Sequence, residues 1–123
     1  MKKWKNENLL NAFKNAFNGV GFVIKHEKNM KIQLTISIIV ILASIIFKLN
    51  IIEMCLVVLA IFLVLFAEFI NTTIEVVVDL YTEEYNEKAK IAKDVAAGSV
   101  AITVIGSGIL GVIIFLPKIL NLL

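Results

Sequence analysis

The sequence predicts an all-α integral membrane protein, with an N-terminal amphipathic surface helix and three transmembrane helices forming one membrane domain over residues 1–123. Three observations carry this. At 59% hydrophobic residues and a mean hydropathy of +0.91, the chain is too apolar for an ordinary soluble domain of its size. Apolar stretches long enough to cross a hydrocarbon core recur three times between short polar connections. The lysines, twelve of them with no arginine, crowd onto alternate connections.

Residues 7–25 form the surface helix. Leu9, Leu10, Phe13, Phe17 and Val20, extended by Ile24, recur at helical spacing, while Asn11, Lys14, Asn15, Asn18 and Lys25 fill most of the other positions. Trp4, with Lys2, Lys3 and Lys5 around it, suits a membrane interface. Gly19 and Gly21 are candidates for a turn into the first span. No uninterrupted apolar core or small-residue cleavage site follows the basic start, which argues against a cleaved signal peptide. The first membrane helix is expected at about 32–47, after the polar stretch Lys25–Lys31, and Lys48-Leu49-Asn50 makes a short turn.

The second helix should run from about 51 to 81, longer than the roughly 20 residues a hydrocarbon core requires. Thr82–Ala92 reads as a polar connection, and the third span as about 91–116, with Pro117 after its end. Residues 1–31 hold seven lysines and the 82–93 connection three, against Lys48 and Lys118 at the opposite ends. The positive-inside rule therefore puts the N-terminus and the second loop in the cytoplasm, and the protein as a multi-pass chain in the cell membrane. Three apolar spans leave little exposed surface for a basic face, so nucleic acid is excluded as a partner. The single Cys55 has no intramolecular disulfide partner and reads as a small buried or lipid-facing residue.

The second helix carries the most informative pattern. Met54–Ala67 contains no charge, and then Glu68, Asn71, Glu75 and Asp79 follow at i, i+3, i+7 and i+11. At about 100° per residue, these four side chains fall within an arc of roughly 80° and share one face. Carboxylates entering the end of an apolar helix are costly and by default mark function. If the hydrocarbon core begins near Met54, Glu68 and Asn71 lie within its far third, Glu75 at the interface and Asp79 in water.

Helix three opens with Lys93-Asp94 and then Ala96-Ala97-Gly98-Ser99. A lysine at a cytoplasmic helix start can reach a phosphate as a point charge. The small residues let another helix approach closely. Gly106-Ser107-Gly108-Ile109-Leu110-Gly111 matches G-x-G-x-x-G by letter but lies inside an apolar span without a preceding strand, so it reads as close helix packing. Asn71-Thr72-Thr73 matches a glycosylation sequon on the wrong side of the membrane and is discarded. His26 is assigned no role. Glu27 gains meaning only by meeting Glu75, because Mg²⁺ carrying substrate phosphates commonly uses one or two protein carboxylates. No Walker A motif is present, so an ATP site would be built from helix ends and carboxylates.

These residues closely resemble the prokaryotic diacylglycerol kinase family, which includes the undecaprenol kinases of Gram-positive bacteria. The resemblance rests on Glu68-x-x-Asn71-Thr-x-Ile-Glu75-x-x-Val-Asp79, on Ala92-Lys93-Asp94-x-Ala-Ala97, and on Glu27 at the entry to the first span. It covers nearly the whole chain and implies a homotrimeric lipid kinase with active sites between neighbouring protomers. By the matching positions, Glu68 is implied as the general base on the lipid hydroxyl, with Asn71 orienting groups near the reacting centre. Glu27 and Glu75 would hold Mg²⁺ on ATP. Lys93 and Asp94 would contact the nucleotide beside Glu84, Tyr85 and Asn86, with Asp79 close by. The Ala97-Gly98 pair, the tail Ile113–Lys118 and Gln33 resemble the undecaprenol branch, whereas Asn8 and Asn15 depart from the diacylglycerol branch near its substrates. Undecaprenol is thus favoured as the lipid alcohol, with diacylglycerol as the alternative. A small oligomeric transporter with Glu68 as a proton or cation site is the competing class; it leaves Glu75, Asp79, Lys93 and Asp94 without a task.

Overall fold

The computed structural model describes Lys5 and residues 7–123, and it contains four helices in the order expected: α1 (Leu9–His26), α2 (Lys28–Ile46), α3 (Ile51–Tyr81) and α4 (Glu87–Leu120). Trp4, Lys2 and Lys3, expected as interface anchors, lie outside the described residues. Three of the helices, α2, α3 and α4, are long and apolar enough to cross a membrane. Leu9, Leu10, Phe13 and Phe17 of α1 all stay exposed, as the apolar stripe of a surface helix does before lipid covers it. Cys55 is exposed among Ile51, Ile52, Leu56 and Leu59 rather than buried in the protomer.

Four boundaries differ from the sequence reading. The first is that α2 starts at Lys28 rather than at about 32, so the polar stretch 25–31 is helical except at Glu27. Gly19 and Gly21 make no turn: α1 runs through both and breaks only at Glu27, where the backbone becomes extended (φ −101°, ψ 115°). A single glycine costs a helix about 1 kcal/mol, too little to end one that is otherwise well formed. The fourth helix begins four residues before position 91, because Asn86 caps it: Asn86 Oδ1 accepts the Ala89 N–H at 3.1 Å. The polar connection therefore shrinks to residues 82–86, and Glu87, Lys88 and Lys90 become helical. At its other end α4 continues past Pro117 to Leu120 instead of stopping before it. Lys118 Nζ lies 3.1 Å from Glu53 Oε1, which ties that last turn to the start of α3.

Helix α3 is the axis of the molecule. It packs most extensively on the antiparallel α4 and also touches α2 and α1. Its buried side chains, Val57, Val64, Ala67, Glu68, Asn71 and Thr72, lie mainly on one stripe at helical spacing. Among the described residues α2 and α4 both pack on α3 without close backbone approach to each other, and just beyond the end of α2 the Phe47 ring meets Phe115 edge-on at 6.0 Å. Between the two helices lies a mostly apolar groove of about 320 Å³ whose lining includes Gln33, Ser37, Val64, Ser107, Gly108 and Gly111.

That groove revises the reading of the glycines. A Cβ added at Gly98, Gly106, Gly108 or Gly111 would meet nothing within 4 Å, so within the protomer none of them serves close helix packing. Gly108 and Gly111 instead leave the groove open, where side chains would begin to fill it.

Candidate active site

Depth sorts the polar face of α3 as its order in the sequence requires. Glu68 is 3% exposed and Asn71 9% exposed, Glu75 is half-buried, and Asp79 is exposed. Along the axis Glu68 and Glu75 are seven residues, or about 10 Å, apart. Asn71 sits between them, and its Nδ2 donates to Glu75 Oε1 over a long 3.5 Å. That leaves Asn71 Oδ1 buried with no partner, and the Thr72 hydroxyl beside it is in the same state.

Glu27 reaches this face from the α1–α2 junction. It stands at the N-cap position of α2, yet its carboxylate makes no capping hydrogen bond. Both Glu27 and Glu75 lie close enough to Glu68 for their charges to repel it. Among the described residues none of the three forms an ion pair. A buried carboxylate repelled by two others is electrostatically expensive, and hard oxygen donors of this kind suit Mg²⁺. Among the described residues, no three His, Cys, Asp or Glu side chains gather tightly enough to enclose a metal unaided.

The remaining predicted residues gather at the 82–86 turn. Glu84, Tyr85, Asn86, Lys93 and Asp94 all line one cavity of about 230 Å³. Lys93 Nζ donates to Asp79 Oδ1 at 2.7 Å, joining α4 to the exposed end of the α3 face, and its charge also acts on Glu75 and Glu83. Asp94 pairs with Lys90 one turn back, and the Asn86 side chain is engaged in capping α4. Asp79, Lys93 and Asp94 are thus each charge-paired within the protomer, and a phosphate approaching Lys93 would compete with Asp79.

Two residues here escaped the sequence reading. Lys90 lines the cavity, and it was hidden by treating residues 82–92 as a loop. Thr72 falls about 40° from Glu68 on the helix, so extending the same helical count by one residue would have found it. His26 is accounted for locally, its Nδ1–H donating to the Phe22 carbonyl at 3.0 Å and its ring stacked on Phe22 at 4.4 Å.

The family model for prokaryotic diacylglycerol kinase matches residues 14–115, a range that contains every one of these side chains. The chain belongs to the prokaryotic diacylglycerol kinase family. It is therefore a lipid kinase, a membrane enzyme of ATP-dependent phosphoryl transfer. A diacylglycerol kinase of Synechocystis sp. is 38% identical over 117 residues, covering 94% of this chain and 67% of that protein. An undecaprenol kinase of Bacillus subtilis is 36% identical over 107 residues, covering 87% of each.

Proposed function

We propose that the protein transfers the γ-phosphate of MgATP to undecaprenol, giving undecaprenyl phosphate at the cytoplasmic face of the cell membrane. One observation carries the reading. A single face of α3 passes from buried Glu68 and Asn71 to exposed Asp79, and Lys93 ties that exposed end to the cavity at the turn. A lipid hydroxyl and a nucleotide can therefore meet along one helix without either leaving its own medium.

In this reading Glu68 takes the proton of the lipid hydroxyl as general base. The lipid chain runs from there into the groove between α2 and α4, whose lining residue Val64 is one turn below Glu68. Asn71 holds Glu75 and keeps its carbonyl free toward the reacting groups. Glu27 and Glu75 would hold Mg²⁺, whose charge offsets that of the ATP phosphates. Lys93 adds a cation for the phosphates, and Asp94, Glu84, Tyr85 and Asn86 border the nucleotide. Phosphoryl transfer demands chiefly positioning and charge neutralisation, which these groups supply.

A neighbouring protomer completes the site in a homotrimer. The cavity at the turn, about 230 Å³, is smaller than the roughly 300–1,000 Å³ usual for a small-molecule site, and large apolar side chains stay exposed along all three spans. Undecaprenol is favoured because the chain and the Bacillus subtilis undecaprenol kinase cover each other equally, at 87%. Gln33 also lines the groove rather than placing an acid there. Diacylglycerol is the second reading, supported by the 38% identity to the Synechocystis diacylglycerol kinase.

Purified protein in mixed micelles, given ATP labelled at the γ-phosphate, should label undecaprenol faster than diacylglycerol, and chelation of Mg²⁺ should stop both reactions. Absence of Mg²⁺-dependent product with either lipid overturns the kinase reading. Faster labelling of diacylglycerol overturns the choice of undecaprenol.

A further inference from the structure

The chain has nine serine and threonine side chains. Eight of their hydroxyls donate to a backbone carbonyl, mostly the one a helical turn earlier, as Thr35, Ser44 and Thr73 do. Such back-bonding is the ordinary way for a hydroxyl to satisfy itself on an apolar helix. Thr72 is the exception. It is 4% exposed, and Oγ1 has no hydrogen-bond partner, although Thr73 next to it donates to the Phe69 carbonyl at 2.9 Å.

The position of this free donor gives it meaning. Thr72 and Asn71 lie on opposite sides of Glu68 around the helix, about 40° and 60° away. Among the described residues, the two buried side-chain atoms without a partner are the Thr72 hydroxyl and Asn71 Oδ1, and they flank the buried carboxylate of Glu68. Buried polar groups are nearly always satisfied, so a donor and an acceptor left open around a carboxylate call for a ligand that offers both functions. An alcohol oxygen does: a lone pair accepts from Thr72, and its one hydrogen lies between Asn71 Oδ1 and Glu68 until the carboxylate takes it.

We propose that Thr72 is a substrate-contact residue whose hydroxyl donates a hydrogen bond to the oxygen of the lipid alcohol. The proposal rests on the lipid-kinase reading of this site and adds a residue to it. The alcohol proton passes to Glu68. One lone pair of the oxygen forms the new bond to the γ-phosphorus while the bond from that phosphorus to the β–γ bridging oxygen breaks and ADP leaves. The second lone pair accepts from Thr72, which keeps its own proton throughout. Thr72 therefore fixes the direction of the attacking lone pair and discriminates a hydroxylated lipid from a hydrocarbon.

Thr72→Val removes the donor at nearly constant volume, and Thr72→Ser retains it. Loss of one hydrogen bond to a reacting oxygen corresponds to a drop of about 10- to 100-fold in kcat/KM for undecaprenol in Thr72→Val, with the KM for MgATP within about twofold of wild type. Thr72→Ser should stay within about threefold of wild type, and Thr72→Ala serves as a second donor-free variant if valine impairs folding. An ATP-free readout separates binding from chemistry: undecaprenol should raise the melting temperature of the wild type more than the corresponding hydrocarbon without the hydroxyl. In Thr72→Val the two should act alike. The proposal is overturned if the donor-free variants keep kcat/KM within twofold, or if Thr72→Ser is as impaired as Thr72→Val. Hydroxyl-dependent stabilisation that vanishes in Thr72→Val, in a protein that phosphorylates no lipid, would overturn the kinase reading and leave the contact standing.

Discussion

The two ends of the α3–α4 hairpin treat their polar groups in opposite ways. At the end remote from the 82–86 turn, the chain satisfies them from within. Asn50 and Glu53 close a reciprocal capping box at 2.8 and 3.1 Å, and Glu53 also takes Lys118. In the half of α3 nearer the turn, Glu68 is repelled by Glu27 and Glu75, none of the three has an ion pair, and two buried polar atoms lack any partner. Both ends derive from similar residue types in the same helix pair. The difference teaches that an unsatisfied group is informative only against a background of satisfied ones, since the remote end shows what this chain does when structure alone is at stake.

Neutralising one carboxylate at each end is the strongest way to break this contrast. Glu68→Gln should lose about 10²–10⁴-fold in kcat, the range usual for removing a general base. Nucleotide affinity should stay near wild type, and thermal stability should hold or rise, because a buried charge without a partner is gone. Steady-state kinetics with a melting curve in detergent would check both halves. A melting temperature well below wild type would mean that Glu68 is structural, like its counterparts at the remote end.

Glu75→Gln should act on MgATP instead. We expect its KM for MgATP to rise by about tenfold, or about 1.4 kcal/mol, and the free Mg²⁺ needed for half-maximal rate to rise in parallel. The KM for the lipid should change less than twofold, by order of magnitude. A variant with normal Mg²⁺ dependence would remove Glu75 from the metal.

How much of this was legible beforehand follows the same division. The spacing of Glu68, Asn71, Glu75 and Asp79 placed all four on one face, and α3 has the expected bounds, because helical periodicity and an apolar run are local properties. The pairing of Lys93 with Asp79 is not local: it joins residues 14 apart on two helices and depends on how α4 crosses α3. The early start of α4 was readable in principle, since Asn86 is a good N-cap, but the charged residues after it also suited a loop. That no side chain packs against the glycines of α4 could not be read from spacing, because small residues favour both close packing and open space.

At the remote end, the expected effects are smaller and confined to stability. Glu53→Gln and Lys118→Met each remove one partner of an ion pair that is about three-quarters buried, with side chains 22% and 28% exposed. Each should lower the melting temperature by no more than about 5 °C. Turnover on undecaprenol should stay within about twofold, because neither residue approaches the α3 face used for chemistry. A large loss of activity in either variant would show that the two ends are coupled and that the contrast is misplaced.

The smallest effect lies in the backbone of that same end. Lys48 has φ 53°, the only non-glycine residue with positive φ among the described residues. It follows α2 in a glycine-type helix stop: Lys48 N–H donates to the Ile45 carbonyl and Leu49 N–H to the Ser44 carbonyl, each at 3.1 Å. A left-handed residue with a Cβ costs about 1–2 kcal/mol, and part of the gain from glycine is returned as extra entropy of the unfolded chain. Lys48→Gly should therefore stabilise the protein by about 0.5–1 kcal/mol without altering turnover. Lys48→Ala separates this from any effect of charge, since alanine keeps the Cβ at the same φ and should leave stability near wild type. Equal stabilisation by both variants would assign the effect to the lysine charge, and the remote end would then also hold a group left unsatisfied.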